Sequence, residues 1–147
     1  MPRQRVVFKK QYPQPPDQVF PLFADHHRFG KLLGAPIKRV KDAPAGTDPN
    51  GVGSVRRIAG GPFAFEETVL TSEPLELIEY TVSRGGPIKN HLGRIEFRPT
   101  KNGGTALHYT IEFDGRIPGS GKVIAGVLRT LIGRALDRVP NQTAAAR

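Results

Sequence analysis

The sequence GSGKVIAGVLRTLIGRALDRV at residues 119–139 contains the only long helical pattern in the chain. Its apolar residues form two adjacent rows at four-residue spacing, which make one broad apolar face on an α-helix. Ser120 is placed to cap this helix and Pro140 to end it. We therefore predict one long C-terminal helix whose apolar face packs against the rest of the protein. The two rows are Val123, Val127, Leu131 and Ala135, and Ile124, Leu128, Ile132 and Leu136.

Two glycines, Gly126 and Gly133, lie on the other side of this helix. A glycine in a helix interior costs about 1 kcal/mol relative to alanine, which is unexpected in a helix that only packs. Two explanations stay open. Another element approaches the helix closely at these positions, or the helix is kept soft enough to admit a ligand.

The chain before residue 119 is mostly a series of alternating segments, each typical of a β-strand with one buried and one exposed face. Two short helices are predicted after the first strand. One starts at Pro15 and Pro16, and the other covers His27–Leu33, capped by Asp25 and ended by Gly34. The predicted strands are Arg3–Tyr12, Ile37–Lys41, Gly53–Ile58, Phe63–Ser72, Leu77–Ser83, Lys89–Arg98 and Thr105–Asp114.

This order of elements predicts an α+β fold, in which a curved antiparallel sheet of about six to seven strands wraps around the C-terminal helix. A chain of 147 residues is most simply one domain, because domains of this size bury enough surface to fold alone. We expect a single domain over residues 1–147, with a frayed tail at 141–147. Any ligand is expected between the sheet and the helix.

The composition excludes several classes of site. The sequence has no cysteine, which excludes disulfides, thiolate metal sites and cysteine nucleophiles. Its histidines and carboxylates lack the spacing of metal ligands, so we expect no metal and no cofactor. No apolar run approaches the ~20 residues of a membrane span, and the N-terminus lacks the apolar segment of a signal peptide. We therefore expect a cytoplasmic protein.

The net charge of +9 is compatible with an anionic-surface or nucleic-acid binder. The Lys and Arg residues are scattered, however, and most occupy alternating strand positions that face solvent. The few aromatic residues have internal positions and form no exposed stacking surface. We expect a solvated basic surface and no nucleic-acid partner, and we keep this function only as the weaker alternative.

Several segments carry a family resemblance: GVGSVRRI at 51–58, FEETVL at 65–70 with EPLELIEYTV at 73–82, and HLGRIEFRP at 91–99 leading to GTALHYTIEF at 104–113. Together with the element order, they resemble the helix-grip (SRPBCC) superfamily of START-type lipid-transfer domains and Bet v 1-like proteins. The polyketide cyclase/dehydrase-like bacterial group is the most similar. The resemblance covers about residues 3–139 and implies a cavity between the sheet and the long helix.

Glu67 shares a strand face with Phe65 and Val69, so its carboxylate is predicted to point into that cavity. Burial raises the pKa of a carboxyl unless a cation pairs with it, and Arg57 on the preceding strand is the expected partner. Glu67 then orients a ligand or acts as a general acid or base. The alternatives are a purely structural pair with Arg57, or a bulge that turns Glu67 outward. The family resemblance supports this prediction, because abscisic-acid receptors have an acidic pocket residue at the position that matches Glu67.

His91 shares a face with Gly93, Ile95 and Phe97, and Gly93 leaves room for a ligand or for a close approach of the helix. An imidazole in a cavity can transfer protons near neutral pH. The alternative is a histidine near solvent at the start of its strand, without a role.

Inward-facing apolar side chains are predicted to line the cavity, and two tyrosines supply further polar groups that bond a ligand or the protein itself. The alternative is that the same side chains fill the interior at native packing density and leave no cavity. The predicted ligand-binding residues are Arg57, Phe65, Tyr80, Phe97, Tyr109, Val127, Leu128 and Leu131.

These observations predict a protein that binds a hydrophobic or aromatic small molecule, such as a lipid or polyketide. The alternative is a polyketide cyclase/dehydratase-like enzyme in which Glu67 and His91 are the catalytic acid and base. The expected partner is the small molecule itself, and a homodimer stays open.

Overall fold

The computed structural model describes residues 3–59 and 64–145, which form an antiparallel sheet and four helices. The strands are β1 (Gln4–Tyr12), β2 (Ile37–Lys41), β3 (Val55–Ile58), β4 (Phe65–Glu73), β5 (Leu77–Gly85), β6 (Ile88–Pro99) and β7 (Thr105–Gly115). The helices are α1 (Pro16–Ala24), α2 (His26–Leu33), α3 (Gly121–Asp137) and α4 (Val139–Ala145). Phe63, the predicted start of the fourth strand, lies outside the described residues.

The seven strands have the order β1-β7-β6-β5-β4-β3-β2, so the first two strands lie at opposite edges of the sheet. Helices α1 and α2 make the connection between them. Register shifts in the β2–β3, β4–β5 and β6–β7 pairs mark bulges, which increase the local bend and twist of a strand. The predicted α+β helix-grip fold, with a curved antiparallel sheet and a long C-terminal helix, is confirmed.

The two short helices follow the predicted start and stop signals. Pro16 occupies the first turn of α1, where a backbone N–H would have no acceptor within the helix, so that proline loses no hydrogen bond there. Asp25 caps α2 by accepting a hydrogen bond from the backbone N–H of Arg28 at 3.0 Å. Gly34 ends α2 in the left-handed region, with φ of 72°. Both helices bury apolar side chains in the core, and α2 contacts α1, β2 and α3.

Helix α3 buries a narrower face than its two apolar rows predicted. Val123, Val127 and Leu131 are 70%, 51% and 49% exposed. The helix contacts the sheet mainly along β1 and β7, and this contact is too narrow to cover both rows. The prediction that Val127 faces the interior is therefore wrong, whereas the other row does turn inward. The side chains of α3 in the core or packed against it are Ile124, Ala125, Leu128, Ile132, Ala135 and Leu136.

Gly126 and Gly133 in the middle and later part of α3 are not explained by close packing. A Cβ added to Gly126 would meet nothing within 4 Å, and one at Gly133 would only reach the Phe8 ring at 4.0 Å. The first of the two explanations is excluded for Gly126, because no other described element approaches it. A helix kept soft enough to admit a ligand stays a hypothesis.

The chain after α3 forms the short helix α4, where the sequence pattern predicted a frayed tail from residue 141. Pro140 does stop α3, but it also occupies the first turn of α4. Val139 is fully buried and Thr143 is 4% exposed, so packing against α1 keeps residues 141–145 helical. Residues 146–147 lie outside the described residues.

Candidate functional site

An internal cavity of about 300 Å³ lies between the sheet, the end of α2 and helix α3. This volume is at the lower end of the ~300–1,000 Å³ typical of ligand pockets. The predicted alternative of a completely filled interior therefore does not describe this part of the molecule. Its walls are mainly apolar, and Glu67, Tyr80 and His91 are the lining residues that carry polar side-chain groups. The apolar lining includes Phe29, Leu33, Ile58, Phe65, Val82, Ile88, Ile111, Leu128, Leu131 and Ile132.

The sheet register places a buried ion pair beside this cavity. Arg56 lies opposite Glu67 in the β3–β4 ladder, and Arg57 lies opposite Glu66. The Arg56 Nε donates to Glu67 Oε1 at 2.8 Å, and its Nη2 lies 2.8 Å from the same oxygen. Arg57 is exposed and pairs with Glu66 on the outer face. The prediction that Arg57 is the partner of Glu67 and lines the cavity is therefore wrong. In β3 the Arg56 side chain points to the inner face of the sheet, and the Arg57 side chain points to the outer face.

Two aromatic rings hold the Arg56 guanidinium in place. Its central carbon lies 4.6 Å from the ring centroid of Phe29 and 4.7 Å from that of Tyr80. Arg56 is 1% exposed, so these cation–π contacts act without competing water. The side chain is thereby fixed in one orientation, with its charge directed at Glu67.

The protonation of Glu67 is set by two opposing effects. Burial raises the pKa of the Glu67 carboxyl above its usual value, while the charge and hydrogen bond of Arg56 oppose this rise. An arginine stays protonated in proteins, and a buried charge without a partner is very costly. Because Arg56 is buried and positive, an ionised Glu67 leaves this part of the interior without net charge. The predicted outward turn at a bulge does not occur, although the register does shift between Glu66 and Glu67.

His91 lines the same cavity and has one ring nitrogen fixed by the backbone. The N–H of Val82 donates to His91 Nδ1 at 3.0 Å, so the proton of the neutral ring resides on Nε2. Burial, together with the charges of Arg56 and Arg3, lowers the pKa of His91 to about 4. At neutral pH His91 is therefore a neutral side chain that can donate from Nε2.

The two tyrosines form a hydrogen-bonded pair in the core. The Tyr80 and Tyr109 hydroxyls hydrogen-bond to each other within the core, and burial raises the pKa of both phenols. Tyr80 lines the cavity, whereas Tyr109 is fully buried and does not. The space left by Gly93 is filled by the Tyr80 ring, its cross-strand partner, and not by a ligand or by α3.

The remaining predicted lining residues divide into two groups. Phe65, Leu128 and Leu131 line the cavity as predicted, although Leu131 is half exposed and lies toward its rim. Phe97 does not line it, because its ring packs edge-on against Phe20 at 5.1 Å under α1. Val127 points to solvent.

The sequence interpretation missed both Arg56 and a second buried polar cluster. Ser54 Oγ lies 3.4 Å from His26 Nε2, and both residues are almost fully buried. Burial and the nearby Arg56 lower the pKa of His26 to about 4. The sequence of β3 did contain one signal. Val55 and Ile58 are three residues apart, so they cannot lie on the same face of a strand. If Ile58 is the inward residue, Arg56, two residues earlier, also points inward.

The described residues contain no group of three or more histidines and carboxylates that could hold a metal ion. No described helix is long and apolar enough to cross a membrane. Three further depressions, of about 420, 710 and 440 Å³, are more open grooves on the surface. The cavity beside Glu67 and His91, which is the least open of the four, is therefore the candidate site.

Solved structures similar to the chain share this fold. A protein from Rhizobium loti is 26% identical, with a TM-score of 0.64, and the match covers 93% of this chain and 96% of that one. Ara h 8.0201 is 14% identical with a TM-score of 0.71, covering 97% and 99%. Norcoclaurine synthase from Thalictrum flavum, in complex with dopamine and hydroxybenzaldehyde, is 12% identical with a TM-score of 0.70, covering 99% and 88%.

A search of curated proteins found no similar sequence. A family model described as polyketide cyclase/dehydrase and lipid transport matches residues 3–144, which is nearly the whole chain. The seven-stranded sheet, the long α3 and the cavity between them agree with that assignment. The chain therefore belongs to the polyketide cyclase/dehydrase and lipid-transport family.

Proposed function

We propose that this protein binds a hydrophobic or aromatic small molecule in the cavity between the sheet and α3. The observation that carries the proposal is the cavity itself, whose walls are apolar except for a few polar groups. Apolar walls supply binding free energy through the hydrophobic effect, and a few fixed polar groups orient the ligand. The volume favours a molecule with one or two rings or a short chain.

A fluorescence titration with 1-naphthylamine, a neutral apolar probe with two rings, tests this proposal. Leu128→Trp would fill part of the cavity, whereas Val127→Trp adds the same side chain at the next position, which is half exposed. We expect saturable binding to the wild type and to V127W, and at least about tenfold weaker binding to L128W. The proposal fails if the wild type does not bind the probe, or if L128W binds it as well as V127W does.

A second candidate function is catalysis of enolisation, as in a polyketide cyclase or dehydratase. Its support is that Glu67 and His91 line one cavity and flank Val82, which pairs with Glu67 across strands and bonds to His91. Glu67 would remove a proton from a carbon between two carbonyls. The electron pair of the broken C–H bond would move to a carbonyl oxygen, which would accept a hydrogen bond from His91 Nε2.

Deuterium exchange of a 1,3-diketone tests the enzymatic candidate. Benzoylacetone would be incubated in D₂O, and loss of the methylene proton signal followed by NMR. Acceleration above the buffer rate, abolished in His91→Phe and retained in His108→Phe on the outer face, is the expected result. Exchange at the buffer rate with the wild type would leave only the binding function.

The nucleic-acid alternative has less support. Several basic side chains of the outer surface are in ion pairs, among them Arg57 with Glu66, and Arg94 with both Glu79 and Glu96. Paired cations contribute less to an electrostatic footprint than a continuous basic patch does. We propose no nucleic-acid function. A cytoplasmic location remains part of the proposal.

A further inference from the structure

Glu67 and His91, which both line the cavity, differ in hydrogen-bonding character. Arg56 approaches only the Oε1 atom of Glu67, so Oε2 has no hydrogen-bond partner among the described residues. The Nδ1 atom of His91 is occupied by the Val82 N–H, and the Nε2 atom has no partner within the same described part of the chain. Glu67 therefore offers the cavity an acceptor, and His91 offers it a donor.

The register brings this acceptor and donor to neighbouring positions. Glu67 on β4 lies directly opposite Val82 on β5, and the N–H of Val82 is the group that holds the His91 ring on β6. The hydroxyl of Thr81 donates to the backbone oxygen of His91 at 2.6 Å and fixes the same region of β6. Acceptor and donor thus flank one residue and face one cavity, with positions set by the sheet and not by a loop.

From this arrangement we propose that the cavity selects a ligand with a neutral hydroxyl group, such as a phenol, an enol or an alcohol, on an apolar body. This inference rests on the proposed binding function and adds the substrate class. The hydroxyl donates to Glu67 and accepts from His91 Nε2–H. A single oxygen atom can do both, because a hydroxyl has one O–H donor and two lone pairs.

Other polar groups satisfy only one side of this arrangement. A methyl ether accepts from His91 but leaves Glu67 without a donor. A carboxylate has no donor and brings a second negative charge next to Glu67. A buried polar group left unsatisfied costs enough to weaken binding about 10- to 100-fold. Bare hydrocarbons leave both groups of the protein unsatisfied, so they bind through burial alone.

Isothermal titration with four ligands of one ring system tests the inference: naphthalene, 2-naphthol, 2-methoxynaphthalene and 2-naphthoate, all at neutral pH. We expect 2-naphthol to bind about 10- to 100-fold more tightly than the other three. The deciding variant is His91→Phe, which keeps a ring of similar size but removes the donor. Its preference for 2-naphthol over naphthalene should fall to within about threefold, while His108→Phe keeps the wild-type preference.

Glu67→Gln is a second variant, which exchanges the acceptor for an amide of the same shape. It leaves Arg56 without a counter-ion, so its fold would be checked by circular dichroism before titration. His91→Phe carries the test by itself if this variant does not fold, because a ratio between ligands does not depend on the overall stability of the variant.

The outcomes separate this inference from the proposed function. If naphthalene binds in the cavity but 2-naphthol binds no more tightly, the selection of hydroxyls is wrong and the binding function stands. Tightest binding of 2-naphthoate would also overturn the selection, because the site would then favour an anion. If none of the four ligands binds, the binding function and the inference fail together.

Discussion

Arg56 donates to Glu67 from a fully buried position, and the two residues are direct cross-strand partners on β3 and β4. Neither side chain reaches bulk solvent: they are 2% and 8% exposed. An ion pair of this kind depends on both partners, because loss of one leaves the other as an uncompensated charge inside the protein. The pair therefore has consequences for stability that the surface ion pairs do not.

Arg56→Met should destabilise the protein by about 3–5 kcal/mol, because Glu67 would lose its buried counter-ion. The double variant Arg56→Met/Glu67→Leu should recover most of this loss, since it removes both charges. Arg57→Met is the matched control, as its exposed pair with Glu66 is expected to contribute no more than about 1 kcal/mol. Urea unfolding measures all three. A double variant no more stable than Arg56→Met would contradict this account of the pair.

The two glycines Gly126 and Gly93 should respond in opposite directions to alanine. Gly126 lies on the exposed side of α3 and a Cβ there meets nothing, so Gly126→Ala should stabilise the protein by up to about 1 kcal/mol. A Cβ on Gly93 would overlap the Tyr80 ring, so Gly93→Ala should destabilise by about 1–3 kcal/mol. Thermal unfolding distinguishes the two, and a destabilising Gly126→Ala would indicate a contact at this face of α3.

The buried face of α3 predicts a sharp difference between Ile132 and Val123. Ile132→Ala should cost about 2–5 kcal/mol, because Ile132 is in the core beside the cavity. Val123→Ala should change stability by less than about 0.5 kcal/mol, since Val123 is 70% exposed. Equal losses in chemical denaturation would mean that both apolar rows of the helix are covered, as the sequence pattern alone predicted.

Stability should fall as the pH falls below neutral, because two buried histidines resist protonation. The pKa values of His26 and His91 are both lowered from 6.5 to about 4 in the folded protein. Between these two pH values the unfolded chain binds more protons than the native state. The stabilisation is therefore complete above about pH 6.5 and is lost progressively as the pH falls towards 4.

Each histidine should account for about 1.5 kcal/mol of this loss between pH 6.5 and about pH 5. His91→Gln should make the pH dependence shallower by that amount. Urea unfolding at several pH values gives the slopes. Parallel curves for His91→Gln and the wild type would show that His91 is already protonated, or readily protonated, in the native state.

The sequence predicted the fold well because its signals are local and repeated. Strand alternation, the Asp25 cap and the Gly34 stop each act within a few residues, and all of them occur in the structure. The facing of β3 failed because this strand has four residues, which is too short for its alternation to identify the inner face. Only the register against β4 shows that Arg56, and not Arg57, points inward.

The candidate site was predicted only in part, for a related reason. Glu67 and His91 were assigned to the inner face from alternation alone, and both line the cavity. Phe97 lies on the same inward face of β6 as His91, but strand alternation does not show how far along the strand the cavity extends. The space at Phe97 is taken by α1, and the space at Gly93 by Tyr80. These contacts join distant parts of the chain and have no local pattern.

β1 and β2 lie at the two edges of the sheet, and this position suggests a reason for the high positive charge that does not involve ligand binding. Six of the 22 Lys and Arg residues lie in these two strands, which together contain 14 residues. Unpaired strand edges invite pairing with another chain, and charged side chains on an edge discourage it. Gln4 pairs with Phe113, so during synthesis at about 5–20 residues per second β1 waits roughly 5–20 s for its partner. We expect the basic side chains of β1 and β2 to discourage pairing with another chain in the interval before the sheet closes.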